Sequence, residues 1–111
     1  MAIIATTLIP TRNIENTQTT QYVASNGTAI IDKFTATNFS GGMVNVSVNL
    51  AAVGEQTGNS NLVVKARTLQ PGETYTFPEI VGHVLPSGGC ISTLASAAAA
   101  VNIRASGREI S

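Results

Sequence analysis

The decapeptide GGMVNVSVNL, residues 41–50, alternates without interruption: Val44, Val46, Val48 and Leu50 point one way, Met43, Asn45, Ser47 and Asn49 the other. That period belongs to a β-strand with one face on a core and one face outward. The same rhythm recurs along the chain. Residues 3–9 (IIATTLI) predict a first strand stopped by Pro10, and 20–24 (TQYVA) a second, stopped by the Asn26-Gly27 turn pair. In 28–38 (TAIIDKFTATN), Ile30, Phe34 and Ala36 fall on one face and Ile31, Lys33, Thr35 and Thr37 on the other, with Asp32 interrupting the apolar one. After a polar loop, GEQTGNSN (54–61), the run LVVKARTL (62–69) alternates again. Gln70-Pro71-Gly72-Glu73 then predicts a type II turn into the short aromatic strand 74–77.

The pattern changes near Pro78. Ile80, Val81, Val84 and Leu85 stand at helical spacing and predict one helical turn capping the sheet, held short by Gly82 and Pro86. A strand at 90–94 and another at 101–105 bracket an alanine run, 95–100, which reads as a hairpin connection. Ser106-Gly107 predicts a turn before Glu109-Ile110. Seven or eight short strands at spacings of about 8 to 12 residues predict an all-β fold. Its architecture is a single antiparallel β-sandwich or a jelly-roll-like barrel. Residues 1–111 form one domain, with 1–19 a candidate extended N-terminal arm.

Charge sharpens this picture. Six basic and six acidic residues cancel, and the charged fraction of 11% is well under half of the roughly 25% usual for globular chains. The outward positions of the 41–50 strand carry no charge at all. Such a surface follows either from the β-propensity of Thr and Ser or from coverage by neighbouring subunits, where charged groups would be desolvated. The absence of any Lys/Arg run argues against a nucleic-acid partner. Nor is there an apolar window of the 18 or so residues a membrane span needs. The N-terminus has no basic region ahead of its apolar residues and carries Pro10, so it does not read as a secretory signal. The single cysteine, Cys90, leaves no internal disulfide or cysteine-based zinc site, which points to a reducing cytoplasm as the place of synthesis.

Catalytic chemistry is thinly represented. His83 is the only histidine and Asp32 the only aspartate, so a nucleophilic arrangement with Cys90 would have to use them. Glu73 and Glu79 are spaced so that they could form a glycosidase-like pair, although two solvated carboxylates are the simpler reading. Asp32 is expected to bond backbone N–H groups or to pair with Arg104 or Lys65 across the sheet. The Asn-X-Ser/Thr triplets at Asn26, Asn38 and Asn45 read as chance products of composition. No enzyme, metal or cofactor is expected.

The segments IIDKFTATN, VNVSVNL, LQPGETYTFPEIVGHVLPSGGCIST and ASAAAAVNIRASGREI, in that order, resemble small virion proteins of tailed bacteriophages over residues 20–110. The shared features are an Asn-ended early strand, a Pro-Gly-Glu turn before an aromatic strand, a Gly-flanked bend and a closing Ser-Gly-hydrophobic strand. The resemblance implies a non-enzymatic structural protein of the head decoration or cement type, binding between major capsid subunits. It is equally compatible with neck, tail or fibre-anchoring accessories. Partners would be the major capsid protein, copies of the chain itself, or both, in a homo-oligomer on the virion, most simply at the capsid surface. Candidate subunit contacts are Met43, Asn45, Ser47 and Asn49 on the uncharged strand face, Leu8 and Ile14 in the N-terminal segment, and Glu55 and Asn59 in the polar loop. A carbohydrate-binding module using Tyr22, Tyr75 and the Asn-rich loops is a third possibility. An aromatic content of 5% with no tryptophan argues against it.

Overall fold

In the computed structural model, which describes residues 2–25 and 27–111, the strands run in chain order β1 (Ile3–Asn13), β2 (Thr19–Val23), β3 (Thr28–Asn38), β4 (Val44–Ala51), β5 (Leu62–Leu69), β6 (Thr74–Tyr75), β7 (Val84–Leu85), β8 (Cys90–Ala95) and β9 (Val101–Ile110). One sheet has the order β1-β9-β3-β6, with β7 also paired to β3; the other has the order β2-β8-β4-β5. Every pairing is antiparallel. Apart from β4–β5 and β6–β7, each connection crosses from one sheet to the other, which is the winding of a jelly roll. Between the sheets lie Phe34, Ile31, Val101 and Ile103 from the first and Val46, Val48, Ile91 and Leu69 from the second, all fully buried. Each such side chain contributes roughly 1.5 to 3 kcal/mol. Phe77 completes the filling, edge-on to Phe34 at 5.3 Å and to Tyr75 at 4.7 Å.

The all-β expectation holds, and the departures from it have local causes. Pro10 does not stop β1. The strand lies at the sheet edge, and its register against β9 shifts between Ile9 and Arg12, so a residue without an N–H is tolerated there. Residues 3–13 are therefore a paired strand along β9 and not a free arm. In β3 a bulge between Ile31 and Lys33 resets the alternation. Ala29 and Ile31 face the core before it, and Phe34 and Ala36 after it, so Ile30 and Ile31 exchange the faces that unbroken alternation assigns them.

The predicted helical turn is absent. Ile80 N donates to Phe77 O and His83 N to Ile80 O, as in consecutive turns, and Val84–Leu85 then joins β3 as β7. Ile80 and Leu85 are buried while Val81 and Val84 are exposed, because a turn followed by a strand splits a cluster that a helix would have kept together. The alanine run is likewise no hairpin: β8 and β9 belong to different sheets, and residues 96–100 bridge them. Nor does Ser106-Gly107 turn the chain. β9 continues through it, paired with β3 at Ile31, and glycine is needed at 107 because a Cβ there would run into the Ile30 carbonyl oxygen. Of the predicted Asn26-Gly27 turn, Asn26 lies outside the described residues, and Gly27 has the positive φ of 98° that such a turn uses. The Pro-Gly turn is present as expected, with Gly72 at φ 77° and Glu73 N donating to Gln70 O, but it links the two sheets.

One buried side chain ties these connections together. Asn38 is fully buried at the end of β3. Its amide nitrogen donates to Gly42 O at 2.8 Å and Leu69 O at 3.0 Å, and its amide oxygen accepts from Ser40 N at 3.0 Å and Ser40 Oγ at 2.7 Å. Its main chain also donates to Glu73 O and accepts from Gly72 N. The amide's full capacity of two donors and two acceptor sites is thus used. We predict that Asn38→Ala lowers the unfolding free energy by about 1 to 3 kcal/mol, since it strands the Leu69 carbonyl while Gly42 O keeps the Ser40 hydroxyl. Asn38→Asp should cost at least as much, because a carboxylate cannot donate to either. Urea denaturation checks both.

Candidate interaction surfaces

The outer faces of the two sheets differ in kind. Strands β2, β8 and β4, which make up most of the second sheet, contain no charged residue. On their outer side lie Asn45, Ser47, Asn49, Ser92 and Leu94, with Met43 at the entry to β4. On the outer side of the first sheet lie Arg104 and Arg108 from β9 and Asp32 and Lys33 from the β3 bulge, all exposed.

The expected contact residues divide accordingly. Met43 is 65% exposed, and Asn45, Glu55 and Asn59 are also exposed, with Ser47 half-exposed. Leu8, Ile14 and Asn49 are not surface residues at all, being 5%, 0% and 3% exposed. Leu8 and Ile14 belong to the core because β1 and the segment after it are held to the sandwich, Ile14 N donating to Val101 O. Asn49 is covered by the polar loop, which folds back over the sheet with a 3₁₀ turn at Asn59–Asn61. The Asn49 amide donates to Gly58 O at 3.0 Å and Asn61 Oδ1 at 2.8 Å and accepts from Gln18 Nε2 at 3.3 Å. Gln18 continues to Ser92 Oγ at 2.7 Å. Glu55 anchors the start of the loop by accepting from Ala52 N.

Ser47 and Asn45 also have internal work. Ser47 Oγ accepts from Ala66 N at 2.8 Å, where β5 bulges and Ala66 takes a φ of 50°. Asn45 Oδ1 accepts from Thr68 Oγ1 at 2.8 Å. Much of the uncharged face is therefore a hydrogen-bonded layer that fastens β5 and the polar loop onto β4. What projects freely from this end is apolar: Met43 and, across the Ser40-Gly41-Gly42 turn, Phe39, which is 52% exposed. Phe39 was legible as a departure from alternation directly after Asn38, an aromatic residue at a turn.

The carboxylates considered for catalysis are occupied in other ways. Asp32 pairs with Arg108, not with Arg104 or Lys65, because the bulge sets it beside β9. Glu73 Oε1 accepts from Gln70 N, and Glu79 accepts from the Tyr75 hydroxyl, so the two carboxylates close separate turns. Arg67 lies 3.9 Å above the Tyr75 ring. Among the described residues there is no group of three or more His, Cys, Asp or Glu side chains suited to a metal ion, and no helix long and apolar enough to cross a membrane. No known family, curated protein or solved structure matches the chain.

Two titratable groups report on how the edges are held. Glu15 has its pKa lowered, first by the Gln21 amide that donates to it and then by Arg12. Tyr22 donates to Glu109 Oε2 at 2.6 Å, tying β2 to β9 across the sheets. Burial, and then that carboxylate, hold its phenol well above the usual range. The neutral phenol is the form the fold favours, so its contribution is complete below about pH 10 and is lost as pH rises beyond that.

We predict that Tyr22→Phe lowers stability at pH 7 and reduces the decline between about pH 10 and 12, as read by urea denaturation across that range. Asn49→Ala should cost about 1 to 3 kcal/mol and should speed proteolytic cleavage within residues 54–61, which limited proteolysis with mass spectrometry would detect.

Proposed function

We propose that this protein is a non-enzymatic structural component of a bacteriophage virion, a decoration protein that binds between major capsid subunits and stabilises the head. The observation that carries the reading is the absence of charge from the three neighbouring strands β2, β8 and β4. Burying a charge at an interface costs several kcal/mol unless it is paired, and here three neighbouring strands have none to bury. Their amides and hydroxyls are mostly satisfied within the chain, so covering them leaves few orphaned polar groups. Met43 adds apolar area at the entry to β4, where a contact would gain most, and Phe39 adds more on the other side of the Ser40-Gly41-Gly42 turn.

The sheet edges support contact through faces and loops instead of strand addition. β1 carries Pro10 and register shifts, and β5 carries Lys65, Arg67 and a bulge; these devices discourage edge-to-edge pairing. The jelly roll is itself used in viral capsid proteins, an analogy at the level of fold. Many modest contacts repeated over a lattice would reinforce the shell through avidity. A neck or tail accessory would use the same surface in a ring.

Quantitative mass spectrometry of purified particles against the major capsid protein tests the reading. Copies on the order of hundreds in fixed ratio to capsid subunits are expected, whereas a ring would hold about 6 to 18. Absence from the particle would refute both. Met43→Glu should reduce incorporation at least tenfold without unfolding the protein, because it brings a carboxylate into the contact.

A further inference from the structure

Arg104 and Arg108 project from the same face of β9, one strand over from β3. Arg108 has a complete partner: its Nε donates to Asp32 Oδ2 at 3.0 Å and its Nη2 to Asp32 Oδ1 at 2.9 Å, the bidentate match of a planar fork to a carboxylate. Arg104 sits opposite Thr35, and no carboxylate reaches it. Its contacts are long ones from the two Nη atoms, 3.4 Å to Thr11 Oγ1 and 3.5 Å to Thr7 Oγ1, while its Nε makes none among the described residues. Around it lies an open depression of about 300 Å³ lined by Thr11, Thr35, Thr37 and Asn102, a ring of hydroxyls and an amide with no acidic member.

We propose that this depression is an oxyanion site, and that it receives a carboxylate side chain from another protein chain, held by the Arg104 fork as Asp32 is held by Arg108. Within one copy the six carboxylates are held elsewhere, each accepting a hydrogen bond at home, and none reaches Arg104. A planar carboxylate fits better than a tetrahedral oxyanion because the same face already binds one in that geometry. The incoming group would displace the two long threonine contacts, and would gain a hydroxyl donor where Thr35 Oγ1 exchanges its 3.4 Å bond to Arg104 O, or Thr37 Oγ1 its 2.9 Å bond with Thr74 Oγ1, for the new oxygen. This chemistry does not depend on the protein's being a capsid component, so it can be tested on the isolated chain.

The experiment is a titration of the isotope-labelled protein with hexaglutamate, followed through the arginine Nε–H resonances and the backbone amides. A saturable shift is expected at Arg104 and at Thr35, Thr37 and Asn102, with Arg108 unmoved. Arg104→Gln should weaken the peptide at least tenfold, and Arg104→Lys, which keeps the charge and loses the fork, should weaken it nearly as much. Shifts that never saturate, that are equal at the two arginines, or that survive Arg104→Gln would overturn the proposal. Inorganic phosphate binding more tightly than the peptide at Arg104 would overturn the assignment to a carboxylate.

Discussion

The Asn38 amide is the constraint on which the rest of this jelly roll depends. A fold that crosses between sheets at nearly every connection has to bring loop backbone inside, where each carbonyl needs a donor. At the end of β3, one fully buried side chain meets that need for the β3–β4 loop and the end of β5 together, while its main chain holds the Pro-Gly turn. The donor has to be neutral, because a buried charge would have no counter-ion there. The same solution recurs at Asn49, which holds the polar loop, and at Ser47, which holds the β5 bulge. Scarcity of charge is thus partly a property of how this chain fastens itself together.

That internal use of amides leaves the outside of β2, β8 and β4 without charges and with few polar groups in need of partners, the charges of the second sheet being confined to its edge strand β5 with Lys65 and Arg67. The first sheet is its opposite, with Arg108 and Asp32 paired in the open and Arg104 without a carboxylate. A body with one neutral face and one ionic face can engage two neighbours by different physics: area and shape on one side, a directional ion pair on the other. For a protein proposed to sit between subunits, such a division lets each contact be modest while the two together set orientation.

How much of this was readable from residues alone depends on the range of the forces involved. The period of two in 41–50, 62–69 and 101–105 made the all-β class plain, since alternation is local and survives any topology. Pro10 and Ser106-Gly107 misled for the complementary reason: whether a proline or glycine ends a strand depends on what lies beside it. Pro10 is at an edge, and Gly107 is pressed against Ile30 O. The helical spacing of Ile80, Val81, Val84 and Leu85 was real as a pattern, but Gly82 at φ 89° divides it between a turn and a strand. Of the candidate contacts, Met43 and Asn45 stayed outside as alternation required. Asn49 broke the rule because a loop returned to cover it, and Leu8 and Ile14 because their apparent arm is a paired strand leading into the core. Arg104 entered only as an expected partner of Asp32, and its lack of a carboxylate could not be read because it depends on cross-strand register.

The decisive property is whether the uncharged strands β2, β8 and β4 are covered in the assembled state. Pulsed oxidation of free protein and of purified particles, read as the sulfoxide fraction at Met43, measures this directly, because that side chain is 65% exposed and chemically responsive. Rapid oxidation in the free protein and strong protection in the particle is the predicted result. Equal oxidation of Met43 in both would contradict it, placing the uncharged face in solvent and leaving its composition to β-propensity alone.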